Sequence, residues 1–124
     1  MVNKVILVGT AGKDPDIRNT QNSKVATFTL ATNETYKSNG EKKTVTEWHN
    51  IIIWGKLADT VEKYVRKGNH LYIEGKLSTR SWDDNNGVKR YVTEVIAHTM
   101  TMLPSARKNE AAPETFSNND DLPF

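Results

Sequence analysis

Residues 46–54 read Thr46-Glu47-Trp48-His49-Asn50-Ile51-Ile52-Ile53-Trp54, an apolar run of strand length framed by two tryptophans. Side chains of a strand alternate sides with a period of two, so this even spacing puts Trp48 and Trp54 on one face, about 20 Å apart at about 3.3 Å per residue. Asn50 and Ile52 share that face, while Ile51 and Ile53 point the other way. The strand is therefore expected to pack on one side and display aromatics on the other. Two readings fit the tryptophans: core residues, or a stacking platform for bases.

Downstream, Gly55-Lys56 breaks the pattern, and Leu57, Val61, Tyr64 and Val65 recur at helical spacing up to Gly68, placed as a C-terminal cap. The spacing predicts one helix of about three turns, with a Glu62–Arg66 pair on its solvent face. Residues 70–82 alternate again, with Leu71, Ile73, Gly75 and Leu77 on one side and Tyr72, Glu74, Lys76, Arg80 and Trp82 on the other. Trp82 thus falls on a polar face, which favours a binding surface over a core role. Gly75 in mid-strand predicts a bend or bulge of the kind a tightly coiled barrel needs. Asp83-Asp84-Asn85-Asn86-Gly87 reads as a hairpin tip, and the last strand runs to about Met102, with Val92, Ile96, Met100 and Met102 as its core face.

Upstream, Lys24–Thr32 alternates as a half-buried strand, with Ala26, Phe28 and Leu30 inward. It leads into Glu34–Lys43, whose Asn39-Gly40 pair is a strong hairpin signal. That finger carries Lys37, Lys42 and Lys43 together with Tyr36: a solvated tip, or a basic finger with a ring available for stacking. Residues 3–9 form a continuous apolar run, predicting a strand covered on both faces by the fold or by a second subunit. Lys13-Asp14-Pro15-Asp16 reads as a turn.

The chain has 124 residues and no cysteine, so disulfides, thiolate zinc sites and a catalytic thiol are excluded together. Nothing approaches the roughly 18 apolar residues of a membrane span, and an intracellular, cytoplasmic protein is expected. Residues 1–103 hold 15 basic against 11 acidic side chains, whereas 104–124 hold 2 against 4. Pro104 ends the folded part; 104–119 lacks periodicity and reads as a disordered linker. The chain then stops at Asp120-Asp121-Leu122-Pro123-Phe124, an acidic, partly apolar tip best read as bait for another protein's pocket. The three histidines show no metal-ligand spacing, and no phosphate-cradling loop or nucleophile motif is present, so no metal, cofactor or catalysis is expected.

Five strands with one helix between the third and fourth predict an all-β OB-fold, a Greek-key barrel, over residues 1–103. The motifs Val2-Asn3-Lys4-Val5-Ile6-Leu7-Val8-Gly9, Thr46-Glu47-Trp48-His49, Gly55-Lys56-Leu57-Ala58, Tyr72-Ile73-Glu74-Gly75-Lys76-Leu77 and Arg90-Tyr91, with the acidic tip at 120–124, resemble those of the bacterial single-stranded DNA-binding proteins. The resemblance implies stacking by Tyr36, Trp48, Trp54 and Trp82, with Tyr36 standing where tryptophan is familiar and Trp54 where phenylalanine is. It implies a homotetramer with Asn3, Val5, Leu7 and His49 near subunit contacts, and roles in DNA replication, recombination and repair at the nucleoid. Lys37, Lys42, Lys43, Lys56, Lys76, Arg80, Lys89 and Arg90 are the candidate phosphate contacts. A barrel adaptor that binds proteins is the competing reading; the acidic tip argues against it.

Overall fold

The computed structural model describes residues 1–104; the predicted linker from 105 onward and the tip at 120–124 lie outside the described residues. The elements are β1 (Val5–Ala11), β2 (Asp16–Asn19), β3 (Lys24–Ser38), β4 (Glu41–Trp54), α1 (Lys56–Tyr64), β5 (His70–Asp83) and β6 (Lys89–Leu103). The strand order is β1-β5-β6-β4-β3-β2, and a further β1–β3 pairing joins the sheet to itself. β1, β3, β4, β5 and β6 thus close the expected OB barrel, with α1 between its third and fourth strands. β2 is an addition: the turn expected at 13–16 ends in a short strand that pairs outside the barrel with Lys24–Thr27 of β3.

The alternation read along the chain fills the interior. Phe28, Leu30, Ile51, Ile53, Leu71 and Ile73 are fully buried, and α1 contributes Ala58 and Val61, followed by Val65. At roughly 25 cal/mol per Å² of apolar surface, each such aliphatic or aromatic side chain contributes about 1.5–3 kcal/mol on burial. The helix is shorter than its spacing predicts. Val65 turns to extended backbone (φ −82°, ψ 131°) while its N–H still donates to the Val61 carbonyl at 3.0 Å. Gly68, at φ +93°, belongs to the following turn, where its N–H donates to the Ala11 carbonyl. The predicted Glu62–Arg66 pair does not form. Lys24 takes the carboxylates of Asp59 and Glu62 instead, and Arg66 donates to the carbonyls of Glu62 and Val65 at the helix end. Cation and helix dipole are well matched there.

Two glycines permit closure. A Cβ on Gly9 would stand 2.3 Å from the Ala31 carbonyl oxygen, where β1 leaves β5 for β3. A Cβ on Gly75 would stand 2.2 Å from the Ile96 carbonyl oxygen and 2.7 Å from the Ala97 Cα. Gly75 sits at the predicted irregularity: Glu74 pairs with Thr99 but Gly75 with Ala97, so β6 carries His98 as an extra residue. That bulge corrects the reading of β6. Before it, Val95 and Ala97 face the core, and Val92 and Ile96 lie on the outer face; after it, Met100 and Met102 pack inward as expected. Leu77, expected inward, lies beyond the bulge and is exposed.

Within the single chain the fold covers β1 on its inner face. Val5 and Leu7, expected at subunit contacts, pack against the core, and Ile6 (56% exposed) and Val8 (50%) point outward. Asn3 hydrogen-bonds both backbone groups of Leu77 at 3.0 Å, and His49 Nε2 lies 2.9 Å from the Thr32 hydroxyl; both side chains are engaged within the chain.

Gly75→Ala is expected to cost about 1–3 kcal/mol, because the new methyl meets backbone atoms that cannot step aside. Urea denaturation measures it, and an unchanged midpoint would show that the bulge can absorb a side chain.

Candidate nucleic-acid interface

The β3–β4 register fixes which side chains share the outer surface. Val25 pairs with Trp54, Thr27 with Ile52, Thr29 with Asn50 and Ala31 with Trp48. Ile52 is registered with Ile96 of β6, and across β5 Lys76 pairs with Ile96, Ser78 with Glu94, Arg80 with Val92 and Trp82 with Arg90. Because β5 continues its alternation outward from Tyr72, all three tryptophans lie on this one outer face. They are 61% (Trp48), 49% (Trp54) and 46% (Trp82) exposed. Large rings held this open on a regular sheet fill no core of this chain, so the core reading of the tryptophans falls.

On this face, beside Trp54, lies an open groove of about 610 Å³. Ile52, Val92 and Ile96 form its apolar floor, Thr27 and Asn50 add polar groups, and Lys13, Arg18 and Arg80 line it with positive charge. Lys13, Arg18 and Glu94 are groove residues that reading the strands singly did not pick out. A signal for them was present: an acid between Val92 and Ile96 on one face does not suit a core, and it marks that face as the outer one.

Trp48 owes its place to Gly12. A Cβ there would lie 2.5 Å from the ring's Cζ3 and 2.8 Å from the Thr29 hydroxyl. The Gly12 N–H donates to the Thr29 carbonyl at 2.8 Å, which fixes the loop beneath the indole. Arg80 and Trp82, two apart on β5, share a face, and the guanidinium carbon lies 5.7 Å from the ring centroid, within cation–π range.

Tyr36 is not brought into this set. It is exposed, but the unbroken register pairs it with Lys43 on the reverse side of the β3–β4 ribbon. Lys37 and Lys42 are directly opposed on the tryptophan side. Asn39 (φ +54°) and Gly40 (φ +80°) close this ribbon with two successive left-handed residues, the geometry the Asn-Gly pair predicts. At the other hairpin, Asp84 accepts hydrogen bonds from the Asn86 and Val88 amides and from Arg90. The Val88 amide, then Arg90, holds the Asp84 carboxyl below its ordinary range.

The candidate phosphate contacts divide by pairing. Arg80 is bound to Glu94 and Arg90 to Asp84. Lys37, Lys42, Lys43, Lys56, Lys76 and Lys89 are exposed and have no ion pair among the described residues.

The family model described as the single-strand binding protein family matches residues 2–103. Single-stranded DNA-binding protein 1 of Chlorobaculum tepidum is 51% identical over 105 residues, covering 82% of this chain; the chain spans 65% of that relative's length. A solved complex of Plasmodium falciparum SSB with ssDNA has a TM-score of 0.78 and 38% identity, covering 84% of this chain and 97% of that one.

Gly12→Ala is expected to push the Trp48 indole off its seat and shift the tryptophan emission, while costing less than about 1 kcal/mol because the ring is free to move into solvent. Emission and thermal unfolding matching the parent protein would show that Gly12 does not place the ring.

Proposed function

Because the chain belongs to the single-strand binding protein family, one of DNA-binding proteins and not of enzymes, we propose that it binds single-stranded DNA without reading its sequence. The observation that carries this is the alignment of Trp48, Trp54 and Trp82 on one outer barrel face, beside lysines that have no carboxylate partner among the described residues. Every base has a π-face, so stacking is sequence-tolerant and worth about 1–3 kcal/mol per base. A duplex hides those faces. The lysines at 37, 42, 43, 56, 76 and 89 follow the phosphates, releasing counterions so that affinity falls with salt. Lys37 opposite Lys42 is a like-charge pair that weakens an isolated ribbon; a phosphate between them relieves it. Tyr36 stacks on a strand that passes round the edge of that ribbon.

Around this activity we place the roles expected of it: protection and organisation of single strands in replication, recombination and repair, in the cytoplasm at the nucleoid. Among the described residues no helix is long and apolar enough to cross a membrane. The protein assembles as a homotetramer. Ile6 and Val8, exposed side by side with Val5 and Leu7 turned inward, support β1 as a contact surface. Asp120, Asp121, Leu122, Pro123 and Phe124 recruit replication and repair proteins, a reading supported by the composition of the tip.

Titration with an unstructured single-stranded oligonucleotide is expected to quench tryptophan fluorescence strongly, and the matched duplex is not. Trp48→Ala and Trp82→Ala each weaken binding by about 1–3 kcal/mol with little loss of stability. Equal quenching by duplex, or full affinity in both folded variants, would sink the platform reading. Removing Leu122 to Phe124 is expected to leave DNA affinity intact and abolish capture of repair proteins; retained capture would remove the tip from that role.

A further inference from the structure

The outer face carries one group that works against a polyanion. Glu94 is 8% exposed, set between Val92 and Ile96 in the wall of the groove lined by Lys13 and Arg18. Its carboxylate takes a fork from Arg80: Nε lies 3.2 and 3.3 Å from the two oxygens and Nη2 3.1 Å from Oε2. A guanidinium has five N–H donors. The fork therefore fixes its plane and cancels its charge while leaving donors free, and the Arg80 side chain remains mostly open to solvent. The same fork holds the guanidinium carbon 5.7 Å from the Trp82 ring centroid. A buried carboxylate is unfavourable unless paired, and in a DNA groove it also repels phosphate. The even face of β6 otherwise offers Val92 and Ile96 here, so the fold does not require an acid at this position.

We propose that Glu94 is a positioning residue for single-stranded DNA binding. It holds Arg80 against Trp82 as part of the stacking surface and withholds its charge from the DNA backbone. This rests on the reading of the outer face as the DNA site. Around Trp82 the protein therefore grips the base and leaves the phosphate to the exposed lysines, which keeps that stretch of strand exchangeable. A free arginine there would clamp the backbone.

The test is the salt dependence of affinity for an unstructured thymidine oligonucleotide, measured on the full chain. Glu94→Gln keeps the shape and removes the charge, freeing Arg80 for a phosphate. The slope of log affinity against log salt is expected to steepen by about 0.7, so the gain over the parent grows about fivefold from 1 M to 0.1 M salt. Adding Arg80→Gln to that variant abolishes the gain, and Glu94→Asp, which retains the charge, returns the slope towards the parent value. A merely structural role would change melting temperature and leave the slope alone. An unchanged slope in folded Glu94→Gln overturns the proposal. Should that variant not fold, Arg80→Gln alone decides: it is expected to flatten the slope by much less than Lys76→Gln does, and equal flattening overturns it. If the parent protein fails to bind the oligonucleotide at any salt, the reading of the face itself is at fault, and the proposal falls with it.

Discussion

Closure of the barrel depends on a short crossing in β1. Val5 to Thr10 run antiparallel to β5, and by Thr10 and Ala11 the same strand is already paired with β3. One strand can serve two neighbours only where their backbones come very close, and Gly9 is that place, with the Ala31 carbonyl where a Cβ would be. Ala11 is buried at the end of the crossing and exchanges backbone hydrogen bonds with the turn after α1, through Asn69 and Gly68. The helix is thereby tied beneath the barrel. Everything on the outer face inherits its spacing from this closure, because a curved sheet with fixed neighbours leaves no freedom in which rows meet.

In the function proposed for it, the outer face divides its work between shape and charge. Rings and aliphatic side chains stand on the barrel strands, where register fixes their rows, while five of the six lysines without an ion pair among the described residues stand on the hairpin ribbons and element ends, Lys76 alone lying in mid-strand. Stacking needs precise surfaces and tolerates any base; phosphate attraction acts over a Debye length of roughly 8–10 Å and tolerates imprecise placement. The arginines, whose planar forks are the more geometrically demanding cations, are paired with carboxylates: Arg80 with Glu94 and Arg90 with Asp84. Asp84 also organises the turn through backbone amides, so the acid that neutralises Arg90 is the one that shapes its hairpin.

Much of this was legible in the chain because it depends on periods of two. Trp48 with Trp54, Ile51 with Ile53, and Trp82 with Arg80 fall on their observed faces from spacing alone. Asn39-Gly40 announces its turn, and Gly75 its irregularity. What was not legible involves a second strand. Which residue of β6 lies opposite Gly75 cannot be read from β5, so the phase of Val92 and Ile96 came out inverted. That Tyr36 stands on the reverse side of the ribbon from the tryptophans emerges only from its pairing with β4. That Val5 and Leu7 face the core while Ile6 and Val8 face outward could not be read beforehand, because a continuous apolar run carries no phase. Ion pairs followed the same rule: the local Glu62–Arg66 pair lost to Lys24, 38 positions from Glu62 in the chain.

His98 has a genetic consequence. With it in place, Thr99 and Thr101 stay outward and Met100 and Met102 stay inward, in step with Val95 and Ala97 across an irregular joint. Loss of that single codon would place Thr99 directly after Ala97, so the strand would run on in plain alternation with both methionines still inward and both threonines still outward. A single-codon loss at this joint therefore removes the irregularity opposite Gly75 and leaves the two faces of β6 as they were.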